Sequence, residues 1–161
     1  MQKFSSKEIK THFDYYLYLD YSGDLVGYII IKKEKISNLL PKITKLHYYK
    51  DIKNKKSYIS SIKKVLDKNK IIGGFLKTKI CKVKDNLYLF VEIVDFVKIK
   101  FNEKIFISID DNQFRAFERL ISTMQYRNIK IVKESTLKKG STEYKLSLII
   151  DTLLNIERLS K

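Results

Sequence analysis

The stretch from Phe13 to Asp24, FDYYLYLDYSGD, constrains the fold of this chain more than any other. In an extended strand Tyr15, Leu17, Leu19 and Tyr21 project to one side and Tyr16, Tyr18 and Asp20 to the other. Both sides are aromatic or aliphatic, which suits a strand covered on both faces in the middle of a sheet. Asp20 is the exception. A carboxylate at the mouth of a buried strand is costly unless a cation, a set of donors or a proton compensates it. Ser22, Gly23 and Asp24 then supply turn chemistry, so Leu25 to Lys35 is expected to double back as the hairpin partner.

The rest of the chain alternates helix-like and strand-like patterns. Ile36 to Lys56 is mixed, with the sole proline at Pro41 and room for a strand or short helix near Ile43 to Tyr49. Ile59, Ile62, Val65 and Leu66 recur at helical spacing within Ser57 to Asn69, with Ser57 as a cap. Ile71 to Ile80 reads as a strand, and Gly73 and Gly74 fit neither glycine-rich phosphate fingerprint. Asp85 opens a second helical stretch with Leu87, Phe90, Val91, Val94 and Val97 as its stripe, although its β-branched content leaves a strand open. Lys104 to Asp111 alternates as a strand and again ends in acid. A helix over Asn112 to Gln125, a strand over Ile129 to Ser135 and a long helix over Ser141 to Leu159 complete the order. On that last helix, at about 100° per residue, Asp151 lies opposite Leu146, Ile149, Leu153 and Ile156. It is exposed if that face docks, and points at the sheet edge if Leu148 and Leu154 dock instead.

The chain has 161 residues, 44% hydrophobic and 12% aromatic, with five glycines. That is one ordered domain, 1–161, with a real core. The apolar runs fall short of the roughly 18 residues of a membrane span, and the opening MQKFSSKEIK lacks a signal-peptide hydrophobic region, so a soluble cytoplasmic protein is expected. Cys81, His12 and His47 are too few and too scattered for a disulfide or a structural zinc site. The net charge of +15 favours a polyanion, most simply RNA or DNA. Most of that charge is lysine, with Arg115, Arg119, Arg127 and Arg158 the only arginines; lysine suits phosphate contact better than base reading, and a lysine-rich proteome is the bland alternative.

A strand ending in Asp, a hairpin, a helix and strand, another strand ending in Asp, and a final helix carrying Asp follow the order of the ribonuclease H-like fold. More narrowly, the sequence resembles the presumed ribonuclease H-like family catalogued as domain of unknown function 3800. The matching residues are Tyr18-Leu19-Asp20-Tyr21-Ser22-Gly23, Ile107-Ser108-Ile109-Asp110, and Leu146 to Leu154 around Asp151, with Lys77 in GGFLKTK as a similar lysine. The chain departs from the family at Tyr21, where the family has Glu, and at Ser147 and Ile150.

The resemblance implies an α/β fold with a central mixed sheet of about five strands flanked by helices. It further implies a metal-dependent nuclease or related phosphodiester hydrolase using Mg2+ or Mn2+. Asp20, Asp110 and Asp151 would be ligands, Asp24 or Asp111 a further carboxylate, and Lys77 would orient a phosphate. Two-ion phosphodiester hydrolysis needs oxygen ligands converging from different elements, which gives acids at strand ends a chemical reason. Asp111 followed by Asn112 is equally readable as a helix cap. The rival reading is a catalytically inactive ribonuclease H-like module that only binds nucleic acid, and a homodimer is compatible with either.

Overall fold

A computed structural model describes residues 13–124 and 128–160. The N-terminal decapeptide, His12, Gln125 and Arg127, all used in reading the sequence, lie outside them.

Five strands form one sheet: β1 (Tyr15–Ser22), β2 (Leu25–Lys32), β3 (Lys77–Lys82), β4 (Ile105–Ile109) and β5 (Ile129–Lys133), in the order β3-β2-β1-β4-β5. β1 is central. It runs antiparallel to β2, from Tyr15 opposite Lys32 to Ser22 opposite Leu25, and parallel to β4. β5 continues the parallel set beside β4, and β3 closes the other edge antiparallel to β2. The hairpin turn is two residues long, with Gly23 at φ 60°. A left-handed first position costs nothing at glycine and strain elsewhere. The five-stranded mixed sheet flanked by helices expected from the sequence is the one found.

Two helical layers cover the sheet: α1 (Lys33–Leu39), α2 (Lys55–Asn69) and α5 (Thr142–Leu159) on one face, α3 (Asn86–Ile99) and α4 (Phe114–Ser122) on the other. Tyr16 and Tyr18 of β1 pack with Phe106 and with Leu146, Ile149 and Leu154 of α5; Tyr15, Leu17 and Leu19 pack with Ile93 and Phe96 of α3 and Phe117 of α4. The double-sided apolar pattern of β1 is thus used on both sides.

Several boundaries differ from the sequence reading. The hairpin partner stops at Lys32, and Lys33 begins α1, whose Ile36 and Leu39 are buried three residues apart on one face. The span near Ile43 to Tyr49 holds neither strand nor α-helix, only short 3-10 turns at Leu40–Ile43 and Tyr49–Asp51. Asn54, not Ser57, caps α2, its side chain accepting the Ser57 amide at 3.3 Å. The apolar segment IIGG is a 3-10 turn, and the strand beyond it is the more polar KTKICK. That strand is an edge, half-exposed, where lysines cost little.

Candidate metal centre

The parallel strands β1, β4 and β5 all point their C-terminal ends the same way, and each delivers an acid there: Asp20 within β1, Asp110 directly after β4 and Glu134 directly after β5. Alternation turns them to one face. Tyr18, Phe106 and Val132, two or four residues before them, belong to the α5 layer, so the acids look towards α5 as well. One carboxylate oxygen from each of Asp20, Asp110 and Glu134 lies within 4.8 Å of the others.

α5 supplies the fourth acid. Its Leu146, Leu148, Ile149, Ile150 and Leu154 are all buried while Leu153 and Ile156 are only partly so. Neither single stripe proposed from the helical wheel docks alone, because the helix lies on β1 and β2 and is also contacted by α2 and by the 3-10 turns at Leu40–Ile43 and Tyr49–Asp51. Asp151 is therefore turned inward, at 7% exposure. Its Oδ2 accepts the Tyr49 amide at 2.9 Å. Asp151 lines, together with Asp20 and Asp110, a cavity of about 350 Å3 rimmed by Lys50, Lys55 and Arg158. The close seating of α5 depends on Gly27, which pairs with Asp20. A Cβ there would meet Ile80 Cγ1 at 2.9 Å and Leu154 Cδ2 at 3.1 Å.

These carboxyls are held away from their ordinary protonation. Burial pushes Asp20 well above the usual carboxylate range, and the charge of Glu134 adds to it, with the Tyr21 amide, 2.8 Å away, pulling back. Glu134 is pushed up to about 7, chiefly by burial and then by the charges of Asp151 and Asp110, with its bond to Asp20 pulling the other way. Burial pushes Asp151 up to about 6, opposed by the Tyr49 amide and by Lys50. Among the described residues no lysine or arginine forms an ion pair with any of them; the ion pair found, Lys79 with Glu92, joins β3 to α3 on the other face. Converging hard oxygen donors that share buried negative charge with no cation in contact fit a divalent metal ion.

The other candidates are placed as follows. Asp110, not Asp111, caps the turn after β4, its Oδ2 accepting the Asn112 amide at 3.0 Å. Asp111 Oδ1 accepts the Ser135 amide at 3.1 Å, which ties the end of β4 to the turn carrying Glu134; bonds from Ser135 hold its carboxyl below the usual range. Asp111 is thus a brace beside the cluster. Asp24 is exposed in the hairpin turn and outside the cluster. Lys77 is not brought to the acids. It pairs with Ile30, level with Leu17, and alternation puts it on the face of Lys79 and Cys81, against α3. Tyr21, standing where the resembled family has Glu, also packs in the α3 layer.

Glu134 is the residue the sequence reading missed. It was absorbed into the tail of IKIVKES, although a third strand ending in acid was a signal of the same kind as the first two.

No family model matches the sequence, and no curated protein matches it. Among solved structures the chain is similar to a chain of the PCNA:RNase HII complex from Archaeoglobus fulgidus, at 11% identity and a TM-score of 0.46, over 90% of this chain and 73% of that one. Similarity at that level leaves the reading of the site to its own geometry. No helix among the described residues is long and apolar enough to cross a membrane.

Proposed function

We propose that this protein is a divalent-metal-dependent nuclease, or a related phosphodiester hydrolase, acting on nucleic acid through the carboxylate cluster. One observation carries the reading: acids from three separate strands converge within 4.8 Å, Asp20 buried and Asp110 and Glu134 half-buried, with no ion pair to any of them among the described residues. Mg2+ or Mn2+ would be held by Asp20, Asp110 and Glu134, with Asp151 beside them. Bound ions of this kind acidify an attacking water and neutralise charge on the phosphoryl and leaving oxygens.

The chain's own residues do the rest. Asp151 loses its proton at about pH 6, so at neutral pH it adds negative charge to the cation site. Arg158 is pre-oriented at the rim: its Nε donates to Ser22 Oγ at 3.1 Å, its Nη2 donates to Asn155 Oδ1 at 2.8 Å, and its guanidinium lies over the Tyr49 ring. With Lys50 and Lys55 it would draw a phosphate backbone towards the acids. Asp111 keeps Glu134 facing them. The test is to add Mg2+ or Mn2+ to purified protein with labelled single strands, duplexes and hybrids. Metal-dependent cleavage is expected, and unchanged activity in an Asp20→Asn, Asp151→Asn double variant would rule the reading out.

A second reading has one observation behind it. Tyr21 removes the acid that the resembled family carries at that position, so the fold would bind nucleic acid without cutting it. Salt-sensitive binding, indifferent to metal and without products, would decide for it.

A further inference from the structure

A second, roomier cavity of about 860 Å3 opens next to the acids. It is formed where the segment after α1 crosses the start of α5. Its walls include Ile43, Leu46 and Leu148, and Lys53, Lys139 and Lys145 also line it. Tyr48, Asp51, Lys139 and Tyr144 line this cavity and also a neighbouring cleft of about 480 Å3 that contains Asp110 and Glu134. The two tyrosines therefore stand between the apolar hollow and the metal centre. Both phenols feel the charges of Glu134 and Asp151, as expected of groups close to the cluster.

An apolar hollow of this size, open to water beside clustered cations, matches a ligand with a flat apolar part and an anionic part. Its volume falls within the roughly 300–1,000 Å3 of ordinary ligand pockets. We propose that it seats an unpaired nucleobase of a single-stranded nucleic acid, against the rings of Tyr48 and Tyr144, while the adjoining phosphates lie on Lys53, Lys139 and Lys145. The inference rests on the phosphodiester reading of the acid cluster and narrows its substrate class. A base held in a duplex is stacked and paired and would have to leave both arrangements to enter; an unpaired base pays no such penalty. Tyr48 lines this cavity, the cleft with Asp110 and Glu134, and the cavity rimmed by Lys50, Lys55 and Arg158, so the three openings adjoin along a path that one strand could follow.

The experiment uses the full chain in EDTA, so that nothing is cut, and a short single strand carrying 2-aminopurine. The expected result is quenching of the probe and binding at least about tenfold tighter than that of a blunt duplex of the same sequence, as base stacking on aromatic side chains allows. Replacing the probe base by an abasic site should cost about tenfold. Thr44→Phe, which fills the cavity from an exposed wall position, should abolish that base dependence and leave the salt-dependent remainder. Tyr144→Leu should act in the same direction and decides the matter if Thr44→Phe does not fold. Equal affinity for duplex and single strand, equal affinity for the abasic strand, or a folded Thr44→Phe protein with undiminished base dependence would overturn the proposal. Base-dependent binding without any metal-dependent cleavage would remove the nuclease reading alone; cleavage with base-independent binding would remove the base seat alone.

Discussion

Asp14 and Asp20 bracket the same strand and are held in opposite ways. At the start of β1, Asp14 accepts the Lys104 amide at 2.9 Å, and that bond, ahead of the charges of Lys33 and Lys104, holds its carboxyl below the ordinary value. At the far end, Asp20 is raised by burial and by other acids. The first is a charge whose surroundings are already complete. The second is one of three acids, with Asp110 and Glu134, whose carboxylate oxygens lie within 4.8 Å of one another. The surroundings follow suit: Phe13, Tyr16 and Phe106 close the first end with edge-on rings, whereas cavities open at the second.

The sharpest way to break this contrast is by charge deletion at the far end. Asp20→Asn or Asp110→Asn should lower metal-dependent cleavage by about 10²-fold or more, on the scale of removing one preorganised electrostatic contact, as read by single-turnover kinetics. The same Asp20→Asn change should leave metal-free stability unchanged or higher in urea unfolding, because it removes a carboxyl whose ionised form burial and Glu134 disfavour.

Metal and pH sharpen it next. Glu134 and Asp151 have folded-state values raised to about 7 and about 6 from ordinary values of 4.5 and 3.8. The unfolded state therefore gives up these protons first, and metal-free stability should fall as pH rises from about 4 to about 7. Asp14 runs the other way: its contribution is present above its unfolded value and is lost as pH falls through the lowered folded one. Saturating Mg2+ at pH 8 should raise the melting temperature by several degrees, and by less at pH 5.5, where protons compete. An equal shift at both pH values would contradict a carboxylate site.

Smaller effects concern packing. Gly27→Ala should cost about 1–3 kcal/mol in chemical denaturation, the usual range for overfilling a tight contact, and should weaken metal binding by displacing α5. Asp14→Asn should cost about 1 kcal/mol, the worth of an ordinary hydrogen bond, and leave cleavage untouched. A loss of activity there would mean that the two ends of β1 are not independent.

Much of this was legible in residue order. The double-sided pattern of β1, the Ser22-Gly23-Asp24 turn and the alternation of Ile105, Ile107 and Ile109 fixed the centre of the sheet, and Asp20 and Asp110 could be picked out because each breaks an apolar strand. What escaped depends on neighbours. The strand read over Ile71 to Ile80 began too early: its apolar IIGG is a 3-10 turn, and its lysine-bearing KTKI is the part that is strand, because an edge strand is polar where water reaches it. Asp151 needed knowledge of what packs on both sides of α5. Glu134 needed the knowledge that β5 runs parallel to β4 and ends level with it. Lys77 was assigned by motif position, and strand parity sends it to the opposite face.

The bond from the Tyr49 amide to Asp151 fastens the segment bearing Tyr48 and Lys50 to α5, across a sequence separation of 102 residues. Because the donor belongs to the main chain, replacing side chains one by one along that turn would leave the fastening in place and undetected. Proline at position 49 is the single natural residue that deletes the donor, so a conventional alanine survey would pass over the joint that holds one wall of the cavity in place.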